Sequence, residues 1–530
     1  KSPWDPLKKP RRYLTMIRID GWVPKDSLDL LKTEIDELEA PGQSGSIAID
    51  DNYDTNDEKF RKTHGDPPTY FKTNEFSGVY QGIVNTYGVP RYKEVNPGLF
   101  TIVTFPFIFG VMYGDIGHGG ALFLAACYFL FYENHYLEQQ RRGQMSEMMQ
   151  YVFGARYALI LMGFFGFYCG TIYNDFISVP LHIFPSMWEY PANLTATDNE
   201  LILKSDYKIY SYGVDWNWYH RKNELTFFNS LKMKMSVIIG VTQMTFGICL
   251  GAFNYVYFKD YLSLYFVWIP QLLFMTCTFG YMCFMIIYKW CVNWINIGQQ
   301  PPALIQTMIK MFLSPGAIED PLYPGQAGVQ VTLLLIAVAT VPVMLLVKPI
   351  AKHKGHKDEA HQPLAARENS IAGDSVIGAE DEGADEKLDF RPSHDPEANK
   401  EAEHEEGEGH SLSAELIHSG IHTIEFVLGA VSNTASYLRL WALSLAHAQL
   451  AKVFWQKMII EYGVQTYNPL LVIATYALWF CATFAVLMCM DLLECFLHAL
   501  RLHWVEFQNK FFNADGYLFE PFNFDAKDDD

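Results

Sequence analysis

The sequence predicts an all-α polytopic membrane protein with a small α/β soluble segment at its N-terminus. Half of its 530 residues are hydrophobic, and long apolar runs alternate with strongly polar loops. Runs of about 17–25 apolar residues are typical of membrane-spanning helices. Eight such segments are predicted, at about 99–114, 116–132, 151–173, 234–256, 263–288, 330–347, 420–462 and 469–507. The last two are long enough to cross the membrane as tilted helices.

Residues 1–98 are soluble in character. The stretch "YLTMIRIDGWVP" is typical of a strand and a turn, and "KDSLDLLKTEIDELEA" predicts an amphipathic helix that begins at Asp26 or Ser27. So short a segment cannot build a good core of its own. We therefore expect it to be the end of a larger cytosolic N-terminal domain.

The rest of the chain divides by composition into four parts. They are a block of six membrane segments with a lumenal loop at 174–233 (99–347), an acidic linker (348–415), two long membrane helices (416–508) and a cytosolic tail (509–530). Residues 352–410 hold 17 Asp and Glu against seven Lys and Arg. Such a segment is expected to be a disordered cytosolic linker, and its irregularly spaced histidines favour solvation over metal binding.

Cysteine usage and charge exclude several classes of protein. The nine cysteines fall mostly within apolar segments, without CxxC or metal-ligand spacing, so they are expected to be small buried hydrophobic residues. We expect no cofactor and no metal. The formal net charge is −19, and nucleic acid is not expected among the partners.

One N-glycosylation sequon orients the chain. Asn193 begins Asn-Leu-Thr in the loop 174–233, so use of this candidate site would place the loop in the lumen. Three predicted segments precede it and five follow, which places both termini in the cytosol. Arg141 and Arg142 then lie on the cytosolic side, in agreement with the positive-inside rule.

A glycine-rich stretch, "GVMYGDIGHGG", separates the first two segments and contains Asp115 and His118. Glycines at this density interrupt a helix and let backbones approach closely. Two interpretations are open. The pair could handle ions, or it could form the polar tip of a tight hairpin at the membrane interface, which we favour.

Arg439 is a permanent cation within the apolar segment 420–462. A charge at the centre of a bilayer costs about 3 kcal/mol on insertion scales, and Arg439 lies too far from either end of its segment to snorkel. The same helical face carries small residues at Ser432, Ala435, Ser436, Ala442 and Ala446. Small residues admit a neighbouring helix, so we expect this face to contact one. Glu425 lies on nearly the same face, about 21 Å earlier.

Four ionisable residues follow one stripe of the last segment: Asp491, Glu494, His498 and Arg501. Groups of this kind are rarely exposed to lipid, because they line water or pair with one another. One interpretation is an ion-pair network between this stripe and Arg439 that holds two helices together. The other, which we favour, is a proton or ion pathway.

Four stretches of the chain closely resemble one family. They are "VNPGLFTIVTFPF", "FPFIFGVMYGDIGHG", "TASYLRLWALSLAHAQLA" and "LHALRLHWVEFQNKFF". They resemble the membrane subunit a of the eukaryotic vacuolar-type proton ATPase, and the resemblance extends over essentially the whole chain. The motif around Arg439 is its most specific part.

The resemblance implies a function and a set of partners. In this family the subunit is a stator beside a rotating ring of proteolipid subunits, each with one proton-binding carboxylate, and it supplies two offset half-channels. ATP is hydrolysed elsewhere in the complex. The implied partners are the ring, other membrane-sector subunits, the peripheral stalk, the soluble ATP-hydrolysing sector and the lipid bilayer. The implied location is the vacuole or lysosome, Golgi or endosome membrane.

The resemblance also assigns residues. By position, Arg439 matches the essential stator arginine, Arg501 a second important arginine, and Glu425 and His447 polar residues of the pathway. We place Asp491, Glu494 and His498 on the same proton path. The chain has Asp491 where Glu is familiar, which keeps the charge on a shorter side chain. It has Asn433 where His is often found, so a titratable role there is lost.

Three other classes of membrane protein are alternatives to this function. A secondary transporter usually shows internal repeats and paired broken helices, and neither the Arg439 motif nor the glycine-rich motif recurs in the sequence. A membrane-bound enzyme lacks support, because no nucleophile or metal constellation accompanies the ionisable groups. A structural membrane anchor for a partner complex stays open.

Overall fold

The computed structural model describes residues 11–13, 16–18, 21–38, 65–191, 201–360 and 412–520. As predicted, these residues are mostly helical. The helices are α1 Leu28–Leu38, α2 Glu75–Tyr87, α3 Gly98–Met112, α4 Ile116–Phe131, α5 Glu133–Arg141, α6 Glu147–Gly154, α7 Arg156–Tyr173, α8 Glu224–Tyr257, α9 Tyr261–Cys291, α10 Trp294–Ile297, α11 Leu304–Leu313, α12 Gln326–Pro342, α13 Lys348–Ala360, α14 Leu412–Ser436, α15 Leu438–Phe454 and α16 Pro469–Lys510.

Four short strands accompany the helices. β1 (Arg11–Tyr13) pairs antiparallel with β2 (Met16–Arg18), where a strand and a turn were predicted. β3 (Trp188–Glu189) pairs antiparallel with β4 (Ile202–Leu203). Helix α1 begins at Leu28, after a 3-10 turn at Lys25–Ser27, close to the predicted start.

Every predicted apolar segment is helical, but the segments differ in length. Four continuous helical stretches are long and apolar enough to cross a membrane: Glu224–Tyr257, Tyr261–Cys291, Gln326–Lys354 and Pro469–Lys510. The third stretch joins α12 to the start of α13 through a π-helical turn at Val343–Val347. Two bent pairs raise that number to six if each pair is one span, with bends of 65° between α4 and α5 and 62° between α6 and α7. The count of eight crossings stays a prediction.

The predicted segment 420–462 consists of two helices. α14 ends at Ser436 and α15 begins at Leu438, so Tyr437 marks a break two residues before Arg439. Wide π-helical turns occur elsewhere, at Trp455–Glu461 after α15 and at Thr483–Asp491 within α16. Such turns often mark functional positions in a helix.

The chain packs as two units. Unit 1 contains residues 1–219 and 447–530, and unit 2 contains residues 220–446. In unit 1, helix α7 packs against both α3 and α4. Contact between α7 and α4 requires glycine, because a Cβ at Gly119 would lie 2.5 Å from the backbone nitrogen of Phe167. At Gly170 a Cβ would meet the backbone of Asp115 and Ile116, so this glycine fixes the loop before α4.

A buried arginine and a terminal contact complete unit 1. Arg156 pairs with Glu75 at 2.8 Å and Glu133 at 2.7 Å. The segment before α3 lies beside the end of the described chain, because Thr69 donates its amide to the carbonyl of Tyr517 and accepts the amide of Phe519 at its own carbonyl. These two stretches therefore lie at the same end of unit 1.

Unit 2 is built on α8, α9, α12 and α14. Helix α9 packs against α12, and a cluster of buried side chains joins α9 to α11: Tyr281, Met285, Ile286, Leu304, Met308 and Met311. Helix α14 packs against α8 and α13. This places the helix before Arg439 against the 34-residue helix α8.

Candidate functional site

Helix α14 and the start of α15 have one buried face and one exposed face. The buried positions recur every three or four residues, at Phe426, Ala430, Thr434, Tyr437, Leu440 and Ser444. Four of the five predicted small residues are exposed, at Ser432, Ala435, Ala442 and Ala446, and Ser436 is half-buried. The small-residue face around Arg439 is therefore open to a helix from another molecule.

The buried face is fixed to α8 by polar contacts. The Tyr437 hydroxyl donates to Gln243 Oε1 at 2.8 Å, and Trp441 Nε1 donates to Asn229 Oδ1 at 3.1 Å. The ring of Tyr437 lies directly over Gly240, where a Cβ would come within 2.5 Å of it. These contacts bracket Arg439, so they set the rotation of its helix.

Lys232 on α8 adds a buried cation to this contact. Its side chain is 5% exposed, and Nζ donates to the main-chain carbonyl of Ser444 at 3.4 Å. Nζ also lies 5.5 Å from the centre of the Phe228 ring. Lys232 was not predicted as a site residue, although a lysine within a long apolar helix is a recognisable signal.

Arg439 itself is half-buried and is the second residue of α15. Its Nη1 atom is shielded from solvent and has no hydrogen-bond partner in the described part of the chain. A guanidinium has five N–H donors and stays protonated in proteins. The chain therefore presents a fixed positive charge, with an unused donor, beside an exposed face of small residues.

A buried cluster of acidic and histidine side chains forms in unit 1. Its members are Asp115 and His118 from the start of α4, His447 from α15 and Asp491 from α16, and each is no more than 6% exposed. His447 Nδ1 lies 2.5 Å from Asp491 Oδ2. Asp115 Oδ2 lies 3.1 Å from His118 Nδ1 and 3.9 Å from His447 Nε2. We call these four residues the Asp–His cluster.

Local backbone contacts hold the carboxylate of Asp115 in place. Asp115 is the N-cap of α4, and its Oδ1 accepts the amides of Gly117 at 2.7 Å and His118 at 3.3 Å. The amide of Ile177 donates to the same oxygen at 3.3 Å. This cap uses one carboxylate oxygen and leaves Oδ2 directed at the histidines.

Tyr113 links the cluster to the π-helical turn of α16. Its ring lies 4.7 Å from that of His447 between centres, and its hydroxyl donates to the carbonyl of Leu487 at 3.0 Å. A π-helical turn leaves a carbonyl without its usual helical partner. The turn that ends at Asp491 is thus anchored to the end of α3.

The other predicted residues lie in different surroundings. The Glu494 side chain is 57% exposed and lies 3.8 Å from His498, which is 32% exposed. Arg501 and Glu425 are exposed. The predicted stripe of α16 is therefore divided, because Asp491 is directed into unit 1 while Glu494 and Arg501 face outward. Asn193 lies outside the described residues.

The favoured interpretation of the glycine-rich stretch was wrong. Asp115 is fully buried and His118 is 3% exposed, so neither forms a polar hairpin tip at an interface. Helices α3 and α4 take α7 as their main common partner. The glycines allow these close contacts, and the buried pair belongs to the Asp–His cluster.

These features define a polytopic membrane protein that keeps ionisable groups inside its helical bundle. The chain matches the V-type ATPase 116kDa subunit family over residues 10–524 and belongs to that family. The resemblance inferred from its motifs is thereby confirmed.

Similar proteins come from several eukaryotic groups. The chain is 40% identical to "V-type proton ATPase subunit a, vacuolar isoform" of Saccharomyces cerevisiae, over 100% of this chain and 60% of that protein. It is 44% identical to "V-type proton ATPase subunit a3" of Arabidopsis thaliana, over 87% of this chain and 53% of that protein. It is 41% identical to "V-type proton ATPase 116 kDa subunit a 4" of Homo sapiens, over 86% of this chain and 56% of that protein. The chain thus spans between half and three fifths of the length of these relatives.

Proposed function

We propose that this protein is the stator subunit of a rotary V-type ATPase membrane sector. It would form the proton half-channels against a proteolipid ring and couple ATP-driven rotation to proton transport into an organelle lumen. The observation that carries this proposal is Arg439, a fixed charge with an unused donor on an exposed face of small residues. Membership of the V-type ATPase family supports it.

The chemistry of arginine suits this position. A guanidinium does not release its proton, so Arg439 cannot relay protons, but it favours the ionised form of a carboxylate that passes it. It would lower the pKa of that ring carboxylate by roughly 1–3 units. A protonated carboxylate that reaches Arg439 therefore sheds its proton before moving on. The same charge repels protons and blocks direct leakage between the half-channels.

The Asp–His cluster supplies a route for protons within unit 1. The hydrogen-bonded pair of His447 and Asp491 is buried, and a carboxylate and an imidazole can pass a proton between them. We assign Asp491 as the main acceptor on the lumenal side. Glu494, His498 and Arg501 lie one to three turns further along α16, where they extend the path toward solvent. Glu425 is the candidate on α14.

The orientation and location follow from the same proposal. Both termini would be cytosolic, the loop 174–233 lumenal and the linker 348–415 cytosolic, in a vacuole or lysosome, Golgi or endosome membrane. The contact between Thr69 and residues 517–519 supports a shared side for the two ends. ATP hydrolysis would belong to the soluble sector, reached through the peripheral stalk and other membrane-sector subunits.

A photo-crosslinking experiment tests the contact with the ring. A photoreactive amino acid is placed at Ala442, on the small-residue face, and at Leu335, an exposed control position on α12. We expect only the Ala442 variant to form an adduct with a proteolipid subunit in isolated membranes. Equal labelling at both positions, or labelling of other subunits alone, would contradict the proposed interface. Co-purification with the ring and ATP-driven proton pumping provide the functional readout.

A further inference from the structure

We propose that Asp115, His118 and His447 form a binding site for a transition-metal ion of the Zn²⁺ type. Each of the three residues offers one ligand atom, and these atoms all lie within 4.8 Å of one another. All three residues are no more than 3% exposed. No metal-ligand spacing is visible in the sequence, because His447 lies more than 300 residues after the other two.

The ligand atoms are not used by other contacts. Asp115 Oδ2, His118 Nδ1 and His447 Nε2 are shielded from solvent, and none makes a hydrogen bond of good geometry within the described residues. Buried polar atoms are normally paired, since leaving one unpaired costs about 1–3 kcal/mol. Three such atoms that converge on one point can all be paired by a single cation.

The separations fit a tetrahedral ion. Zn–N and Zn–O bonds of about 2.0–2.1 Å place neighbouring ligand atoms about 3.3 Å apart in tetrahedral geometry. The observed separations from Asp115 Oδ2 are 3.1 Å to His118 Nδ1 and 3.9 Å to His447 Nε2. All three ligand atoms lie within 4.8 Å of one another, so a side-chain movement of up to about 1.5 Å would bring them to one ion. A water molecule would take the fourth position, as is common in open zinc sites.

The surroundings prepare His447 as a ligand. Its Nδ1 lies 2.5 Å from Asp491 Oδ2. When this carboxylate is ionised it only accepts, so Nδ1 is then the donor and Nε2 offers a lone pair. A carboxylate behind a histidine is the usual second layer of a zinc site. Asp115 is prepared in a similar way, because backbone amides hold its Oδ1.

The charge of the buried carboxylates favours a cation over a water molecule as the ligand of this site. In the described part of the chain, the ion-pair partners of Asp115 and Asp491 are histidines, which carry charge only when protonated. Two buried carboxylates need compensation, and a divalent ion supplies it. Two imidazoles and one carboxylate favour Zn²⁺ over Mg²⁺ or Ca²⁺, which prefer oxygen ligands.

A metal ion bound at this site would affect function. It would occupy Nε2 of His447, the atom that would otherwise accept a proton, so it would block proton transport. This consequence, and the access of the ion through an aqueous half-channel, rest on the proposed function, whereas binding itself does not.

Metal binding to the full chain, purified in detergent with its partners and stripped with a chelator, tests the site. We expect Zn²⁺ titration to show one more ion bound per chain in the wild type than in His118→Gln or Asp115→Asn. Asp491→Asn should weaken binding 10–100-fold through loss of the second layer. His135→Gln, a histidine on α5 outside the cluster, is the matched control and should bind as the wild type does.

Co²⁺ provides a readout that needs no variant to fold. Bound to the wild type, it should give the intense visible absorption of a tetrahedral ion, and Zn²⁺ should displace it. Absence of this absorption, or Zn²⁺ binding unchanged in folded His118→Gln and Asp115→Asn, would overturn the site. Zn²⁺ that binds without slowing proton pumping would instead overturn a proton path through His447.

Discussion

The contact between Gly240 and Tyr437 makes the position of Arg439 testable without changing Arg439. In a Gly240→Ala variant, the new Cβ would lie 2.5 Å from the Tyr437 ring, whereas carbon atoms pack at about 3.5–4.0 Å. The ring, and with it the start of α15, must move by about 1 Å. Overpacking of this kind costs about 1–3 kcal/mol, and the gain from replacing a helical glycine offsets about 0.5–1 kcal/mol of that cost.

For Gly240→Ala we expect a large loss of proton pumping with only a small fall in the amount of the subunit. A misplacement of about 1 Å in a reacting group can reduce a rate about 100-fold. We expect ATP-dependent acidification of isolated vesicles to fall about 10–100-fold, with subunit abundance on immunoblots within about twofold of wild type.

The control is Gly328→Ala on α12, where an added Cβ has no atom within 4 Å. It should pump normally and fold at least as well as the wild type. Normal acidification by Gly240→Ala vesicles with normal subunit content would refute the view that α8 positions Arg439.

Three further predictions concern other parts of the chain. Asp491→Asn should slow pumping far more than Glu494→Gln, because Asp491 is buried against His447 while the Glu494 side chain is 57% exposed; equal, near-wild-type rates would favour a structural role for both. Arg156→Ala should cost about 2–4 kcal/mol of stability, seen as a lower unfolding temperature than for exposed Arg142→Ala, and equal temperatures would remove its anchoring role. Deletion of residues 370–405 should leave assembly and pumping largely intact, since loop closure depends weakly on length, and loss of assembly would show that this linker makes essential contacts.

Hydropathy predicted the helical segments well because length and apolar content are local properties. The segment predicted at 116–132 is α4, Ile116–Phe131, and the segment at 263–288 lies within α9, Tyr261–Cys291. The bends after α4 and α6 were not predicted, because hydropathy averaged over a window does not show where a helix axis changes direction. The break at Tyr437 was also missed, since no Pro or Gly marks it in the sequence.

The candidate site could likewise be predicted only in part. Helical periodicity predicted small residues on the face of Arg439, and four of the five are exposed. It could not show that Asp115 meets His447, because periodicity identifies which face of a helix is apolar but not which helix covers it. Gln243 and Asn229 were missed for the same reason, since a single polar residue in a span gains meaning only from its partner.

Proton pumping by an Arg439→Gln variant is the decisive measurement for the stator role of Arg439. We expect vesicles containing this variant to show no ATP-driven acidification, while the subunit inserts and assembles as in the wild type. Arg439→Lys should also fail or nearly fail, because a lysine can lose its proton when desolvated and lacks the planar donor array. Arg142→Gln, which changes an exposed arginine, should pump normally. Normal acidification by Arg439→Gln vesicles would show that Arg439 is not the essential stator charge.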